Sequence, residues 1–333
     1  MNLYSETDWS HHLINGARFI DVRAPIEFIQ GSIPGSVNLP ILNDRERHLV
    51  GTAYREEGQA EAINLGHKLV SGNVREARVQ AWRAEIEKYP NAILLCFRGG
   101  LRSQITQSWL LEQGIDRPLV PGGYKALRKF LLSVIDTRSP HLELEVVTGP
   151  TGSGKTKFLA SQGRPFLDLE GIAAHRGSAF GAFERSQPTQ IDFEHGLALE
   201  ILKLPSDLGR VLVEDESRMI GKRSIPAPFF KKMRESPRLP IQVDFETRVE
   251  NIFQDYVLDS ALGRAHDVRR FDEFRAAVVA ISRKLGDLRT REILGDISES
   301  EKAFTGGGGF ASNREWIRKI LIYYYDPLYK RSN

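Results

Sequence analysis

Apolar positions in the first third of the chain fall in short runs separated by polar stretches. Ala17 to Val22 reads as a strand carrying Phe19, Ile20 and Val22. Gly31-Ser32-Ile33-Pro34-Gly35-Ser36 is a turn leading into Val37-Asn38-Leu39. The polar stretch from Gly58 to Tyr89 is compatible with helix, and Ala92 to Cys96 is the continuous apolar run of a buried strand. A glycine-containing loop, a helix from Ser103 to about Gln113 and a short strand at Pro118-Leu119-Val120 follow. Alternation of this kind predicts an open α/β sheet.

A second start lies near residue 140. Asp136-Thr137-Arg138-Ser139-Pro140 is polar, and its proline disfavours helix at the preceding residue, so it reads as a linker. Leu142 to Val147 then opens a new strand. The expected domains are therefore 1–136 and 141–333. Later strands are expected at Phe166–Leu169, Arg210–Glu214 and Pro240–Val243, with helices over Asp192–Lys203 and Thr247–Asp259. From about Phe245 the chain reads as helical and rich in arginine. The fold class is α/β: an open sheet, then a second α/β domain with a helical C-terminal part.

Composition agrees with two domains. At roughly 150 residues per domain, 333 residues make about two, and 41% hydrophobic with 27% charged residues is enough to form cores. No apolar run approaches the ~18 residues that cross a bilayer, and Met1 to Trp9 lacks the apolar centre of a signal peptide. A single cysteine, Cys96, excludes an intramolecular disulfide and a multi-cysteine metal cluster. These features describe a cytoplasmic protein with no membrane partner and no tightly bound cofactor, expected to be a monomer. The formal net charge of +3 fits a nucleic-acid partner without demanding one.

Two loops carry chemistry. Cys96-Phe97-Arg98-Gly99-Gly100-Leu101-Arg102-Ser103 sits between a predicted strand and a predicted helix. A glycine-containing loop curling into a helix directs backbone N–H groups at the thiol, and Arg98 and Arg102 add positive charge. Both effects lower a thiol pKa and favour a nucleophilic thiolate. A buried structural cysteine is the simpler alternative. The second loop, Gly149-Pro150-Thr151-Gly152-Ser153-Gly154-Lys155-Thr156, matches G-x-x-x-x-G-K-[ST] between a strand and a helix. Gly149, Gly152, Ser153, Gly154, Lys155 and Thr156 are expected to hold a phosphate, with the Thr156 hydroxyl suited to Mg²⁺. The apolar strand ending in Glu214-Asp215-Glu216 supplies a carboxylate for that ion, from Asp215 or Glu214. The motif implies a diphosphate-containing ligand, and no segment reads as a nucleotide-base site.

The helical end carries Arg264, Arg269, Arg270, Arg275, Arg283, Arg289 and Arg291, then Arg314, Arg318, Lys319 and Tyr323-Tyr324-Tyr325. Cations neutralise RNA phosphates and aromatics stack on unpaired bases, so Arg264, Arg269, Arg270, Arg283 and Arg289 are expected to bind RNA. Interspersed acids such as Asp267, Asp272 and Glu273 leave a salt-bridged surface as the alternative.

The first domain resembles the rhodanese family. Phe19-Ile20-Asp21-Val22-Arg23 through Glu27-Phe28 is similar to its opening segment. Gly31-Ser32-Ile33-Pro34-Gly35-Ser36-Val37-Asn38 is similar to its next turn, with Ser32 where histidine is usual, and Pro121-Gly122-Gly123-Tyr124 to its closing element. In that family the loop cysteine carries sulfur or selenium. The five residues between Cys96 and Arg102 also resemble phosphatases built on the same fold, but Leu95 stands where those carry histidine. With the phosphate loop added, nearly the whole chain resembles the bacterial tRNA 2-selenouridine synthase family, including Gly171 to Gly181, Glu214 to Gly221 and Tyr324 to Tyr329. This resemblance implies a tRNA-modifying selenotransferase with geranyltransferase activity. Wobble 2-thiouridine would be S-alkylated with geranyl diphosphate, and the alkylthio group displaced by selenium from selenophosphate, itself supplied by a selenophosphate-producing enzyme. Cys96 would carry selenium as a selanyl adduct. Two other classes stay open: an ATP-dependent kinase or switch with an appended sulfurtransferase domain, and a non-catalytic RNA-binding adaptor.

Overall fold

The computed structural model describes residues 6–178, 180–181, 186–205 and 209–332. They form two compact units, residues 1–139 with 188–205, and residues 140–187 with 206–333. Met1 to Ser5 and Ala179, part of segments read above, lie outside the described residues. Among the described residues no helix is long and apolar enough to cross a membrane.

The first unit is built on a parallel sheet of β1 (Phe19–Asp21), β2 (Ser36–Asn38) and β3 (Ile93–Leu95), in the order β2-β1-β3. Ile20 lies opposite Val37 and Leu94, and Leu119 makes an isolated bridge to Leu94. The unbroken apolar run at Ile93–Leu95 follows from burial on both faces of the sheet. Helices α1 (Glu6–Ile14), α2 (Pro25–Phe28), α3 (Asp44–Glu56), α4 (Gln59–Leu69), α5 (Gly72–Lys88), α6 (Leu101–Leu111) and α7 (Gly123–Arg138) follow the chain. Val79, Trp82 and Ile86 make the buried stripe of α5, and the Trp82 indole donates to the Leu39 carbonyl at 2.9 Å.

The segment read as a linker is helical. Tyr124, Leu127, Leu131, Val134 and Ile135 form a buried stripe that carries α7 through Asp136 to Arg138. The chain leaves the α-helix at Ser139, the residue before Pro140, and makes one 3₁₀ turn over Ser139–His141. Helix α10 (Gln190–Lys203) belongs to the first unit, although it follows the phosphate loop in sequence. It packs on α7 through a face carrying the buried Phe193, Leu197 and Ile201. It also holds the 31–36 turn: Asp192 Oδ1 accepts from Ser32 N at 2.7 Å, and His195 Nδ1 lies 2.6 Å from the Ser32 carbonyl. Ile191 approaches so closely that a Cβ on Gly31 would stand 2.3 Å from its Cγ2.

The second unit has a parallel sheet of β4 (Leu144–Thr148), β5 (Phe166–Leu167), β6 (Val211–Glu214) and β9 (Arg238–Pro240), in the order β5-β6-β4-β9. The last strand begins before Pro240, on the sheet edge where a proline is tolerated. Helices α8 (Lys155–Ser161) and α9 (Leu169–Ala173) follow β4 and β5. A small antiparallel pair, β7 (Met219–Ile220) with β8 (Arg223–Ser224), and α11 (Ala227–Glu235) lie between β6 and β9. The rest is helical: α12 (Phe245–Phe253), α13 (Ala261–Ala265), α14 (Arg269–Leu285), α15 (Asp287–Thr305), α16 (Asn313–Ile320) and α17 (Asp326–Ser332). These helices share a core that includes Phe253, Phe271, Phe274, Val278, Ile293, Ile297 and Trp316.

Candidate functional site

Cys96 ends β3 and is 3% exposed, at the floor of a cavity of about 1200 Å³ lined by residues of the first unit alone. Its Sγ lies 3.2 Å from Ser103 Oγ and 3.8 Å from the Gly100 carbonyl. The loop turns through Gly99 at φ +66°. Its other side is fixed by the Gly122-Gly123-Tyr124 segment: Tyr124 N donates to the Cys96 carbonyl at 2.8 Å and Lys125 N to the Phe97 carbonyl at 3.0 Å. A Cβ on Gly123 would stand 2.2 Å from the Cys96 carbonyl oxygen, so only glycine fits there. The motif residues of the opening segment also act on this loop. Arg102 makes a two-pronged ion pair with Glu27 at 2.6 and 3.2 Å, and Arg47 adds a contact to Glu27 at 3.3 Å. Burial opposes both charges. The pairing prevails, holding Glu27 below the usual carboxylate range and Arg102 above its ordinary value. Arg98 is exposed at the cavity rim. Arg23 is buried, pairs with Asp21 at 2.6 Å, donates to the Gly31 carbonyl at 2.9 Å and lies 3.7 Å over the Tyr124 ring. Burial raises the Asp21 pKa, against the pull of Arg23.

The phosphate loop joins β4 to α8. Gly152 and Gly154 take φ +82° and +72°, and a Cβ on Gly152 would stand 2.8 Å from the Arg248 carbonyl. A Cβ on Gly149 would stand 2.6 Å from Ser153 Oγ. Helix α12 braces the loop: Arg248 Nε donates to the Thr151 carbonyl and Asn251 Nδ2 to the Gly152 carbonyl, each at 2.9 Å. Asp326 pairs with the same Arg248 guanidinium. Lys155 Nζ spans the loop to the Gly149 carbonyl at 3.2 Å. Ser153 Oγ is buried and has no partner among the described residues. A buried hydroxyl without a partner, beside a lysine, fits an anionic oxygen as the ligand that completes the loop.

Behind the loop lies a group of buried carboxyls. Thr156 Oγ1 donates to Glu214 at 2.8 Å, with Glu170 at 3.5 Å, and Leu169 N donates to the second Glu214 oxygen at 2.9 Å. Burial, reinforced by Glu170 and Asp168, pushes Glu214 up to about 8. Glu170 and Glu216, which share a hydrogen bond, are likewise raised by burial, while Lys155 pulls both down. Asp215 turns away from Thr156 and pairs with Arg238 at 3.0 Å and Arg234 at 3.7 Å. Of the two Mg²⁺ candidates in that pair, the geometry therefore favours Glu214 beside Thr156. Among the described residues no group of three His, Cys, Asp or Glu side chains is arranged to hold a metal alone. A hydroxyl and a carboxyl oxygen do fit Mg²⁺, which takes few protein ligands and completes its shell with phosphates and water. Sequence reasoning missed Glu170, which stands in the first turn of α9, two residues after the Asp168 that follows β5.

The basic helices divide into different roles. Arg270 is 8% exposed, its guanidinium 5.2 Å from the Phe274 ring and paired with Glu273, so it faces inward rather than toward RNA. Arg269 is exposed but paired with Asp267 at 2.6 Å, and Arg275 bridges Asp272 and Glu301. Arg314, Arg318 and Lys319 also pair with acids. Arg264 is exposed on α13. Arg283, Arg289 and Arg291 are exposed with no ion pair among the described residues, and Arg289 lies 4.8 Å over the Tyr323 ring. Tyr323, Tyr324 and Tyr325 are half-buried against the helical core.

Comparison with known proteins places these features in one context. The family model described as the tRNA 2-selenouridine synthase AAA domain matches residues 142–333. A protein of Bdellovibrio bacteriovorus named tRNA 2-selenouridine synthase is 48% identical over 330 residues, covering 93% of this chain and 87% of its own. Its namesake in Nitrosomonas europaea is 48% identical over 336 residues with the same coverage, and that of Shewanella piezotolerans is 40% identical over 338 residues, covering 99% and 92%. By its sequence over both units, the chain belongs to the tRNA 2-selenouridine synthase family.

Proposed function

We propose that this chain converts 2-thiouridine at the tRNA wobble position to 2-selenouridine in two steps, one for each loop. The observation that carries the reading is the occurrence in one chain of a thiol cavity framed by the Arg102–Glu27 pair and a phosphate loop whose Ser153 hydroxyl lacks a partner among the described residues. The first unit is read as rhodanese-like on its strand–cysteine loop–helix arrangement and on the Gly122-Gly123-Tyr124 closure.

In the first step the tRNA thiocarbonyl sulfur attacks C1 of geranyl diphosphate. The S–C bond forms as the C–O bond breaks, and the electron pair leaves with the diphosphate. Lys155, Ser153 and the loop amides take up that charge, which is transition-state stabilisation without nucleotide hydrolysis. Thr156 and Glu214 are the residues that would hold Mg²⁺, which would neutralise the departing diphosphate. In the second step the selenium of selenophosphate bonds to C2 of the base, the alkylthiolate leaves with the C–S electron pair, and water takes the phosphoryl group as phosphate when the P–Se bond breaks. Alkylation makes this displacement feasible, because it turns the sulfur into a leaving group and makes C2 more electrophilic. Cys96 takes the selenium-handling role, with Arg102 compensating negative charge at the thiol. The exposed arginines of α14 and α15 hold the tRNA backbone.

The test is to incubate the purified protein with 2-thiouridine tRNA, geranyl diphosphate and selenophosphate and to analyse the nucleosides by mass. Appearance of 2-selenouridine only when both co-substrates are present supports the reading. Modification coupled to ATP turnover instead supports a nucleotide-driven enzyme.

A further inference from the structure

The Cys96 cavity has a mixed lining. Arg23, Arg98, Arg102 and Arg128 contribute to it. So do the apolar Val50 and Tyr54 from α3, Ile63 from α4, and Ile105 and Trp109 from α6, with Arg55 and His67 among the polar residues of α3 and α4. Helices α3 and α4 contribute little to the core: Ala53 is the buried residue of α3 and Ala62 that of α4. Their larger apolar side chains stay partly open instead, and Tyr54 is 58% exposed. A small hydrophilic selenium donor gains nothing from them. Apolar surface is rewarded only when an apolar group covers it. Arg23, Arg102 and Arg128 already pair with Asp21, Glu27 and Glu194, which leaves Arg98 of these four for an anionic group, and the apolar residues call for an occupant with an apolar chain.

We propose that the α3–α4 wall seats the geranyl chain of the S-alkylated nucleoside, so that the selenium step selects tRNA that has already been alkylated. This deepens the function proposed above and rests on it: geranyl diphosphate has its place at the phosphate loop there, which leaves the alkylated tRNA as the reactant that brings a long apolar chain to the reacting base. Seating the chain beside Cys96 also brings the C–S bond to be broken next to the selenium carrier. It excludes unalkylated 2-thiouridine, whose sulfur is a poor leaving group.

The experiment measures equilibrium binding of the full-length protein, without selenophosphate, to one anticodon stem-loop carrying S-methyl-, S-prenyl- or S-geranyl-2-thiouridine. Affinity is expected to rise with chain length, by roughly tenfold or more from methyl to geranyl, since each fully buried methylene gives roughly fourfold. Ile63→Asn and Val50→Asn are each expected to remove most of that rise while leaving the S-methyl affinity unchanged, and Ile63→Leu to keep it. Equal affinities for the three substrates overturn the proposal. So does a chain-length preference that both asparagine variants leave intact. A geranyl chain bearing a photoreactive diazirine gives a second reading on the native protein, should a variant fail to fold. Cross-links to residues 50–63 support the seat, and cross-links confined to the second unit, residues 140–187 and 206–333, overturn it. These readouts report on the cavity whether or not selenium is transferred. A native protein that makes no 2-selenouridine from S-geranyl tRNA instead counts against the function proposed above.

Discussion

Glu214→Gln should abolish a pH-dependent loss of stability in the second unit. Glu214 is fully buried at the end of β6, and its pKa stands at about 8 against an ordinary 4.5. Below the ordinary value both folded and unfolded chains hold the proton. Between the two values the folded chain keeps it and the unfolded chain loses it, so stability falls as pH rises. The fall is complete once pH passes the folded value. At ~1.4 kcal/mol per unit, the interval from 4.5 to about 8 amounts to roughly 5 kcal/mol. Glutamine copies the protonated acid: its carbonyl accepts from Leu169 N as Glu214 does, and its amide N–H donates to Thr156 Oγ1, whose own hydrogen turns from position 214 to Glu170. The variant should thus match the native protein to within about 1 kcal/mol near pH 5 and exceed it by a few kcal/mol near pH 8. Glu170 and Glu216 titrate in both proteins, so the quantity to read is the difference between them. Hydrogen exchange of the β6 amides, corrected for intrinsic rate, measures it without assuming that both units unfold together. The reasoning fails if native and variant keep the same gap at both pH values, or if the variant is weaker at the higher one.

Three further predictions follow from the sites. Lys155→Ala is expected to slow geranylation by roughly 10²–10³-fold, as loss of a charge aimed at the leaving diphosphate would, while pre-geranylated tRNA is still selenated; both are read by nucleoside mass analysis. Glu27→Gln removes the charged partner of Arg102 and is expected to cost about 1–3 kcal/mol of stability and to slow selenation, leaving geranylation unchanged. Equal selenation rates would remove Glu27 from the site. Arg283→Ala and Arg289→Ala should each reduce the log–log salt slope of tRNA binding by roughly one, whereas Arg270→Ala should lower the melting temperature and leave that slope alone. The reverse pattern would show that the exposed and buried arginines have been assigned the wrong way round.

How much of this was legible in the sequence depended on whether the signal was local. The apolar runs of β1, β3, β4 and β6 showed themselves because strands buried on both faces are mostly apolar, and their charged members Asp21, Glu145 and Glu214 are paired or hydrogen-bonded. The phosphate loop and the Cys96 loop did so through their glycines, of which Gly152 and Gly99 take positive φ and leave no room for a Cβ beside the Arg248 and Val120 carbonyls. Helix α3 gave no such signal, since Ala53 is its buried residue and the remainder reads as polar surface. The end of α7 was mistaken for a linker because Asp136, Thr137 and Arg138 outweighed the apolar stripe that carries the helix through them. Glu27 stood in a quoted motif, but its task depends on Arg102, 75 residues away, which only the fold brings near. The burial of Arg270 could have been read: it stands four positions before Phe274, on the same helical face as the core. The choice between Glu214 and Asp215 could not, because adjacent strand residues point to opposite faces and only the register with β4 says which faces the loop.

The central claim is that the thiol serves selenation alone, and Cys96→Ser tests it most directly. The substitution is nearly isosteric, and Ser103 and the Gly122-Gly123 closure remain to hold the loop. Given 2-thiouridine tRNA, geranyl diphosphate and selenophosphate, the folded variant is predicted to accumulate S-geranyl-2-thiouridine and to form no 2-selenouridine. Formation of 2-selenouridine at the native rate would contradict the role of Cys96, and loss of both products by a folded, tRNA-binding variant would contradict the division of labour between the two loops.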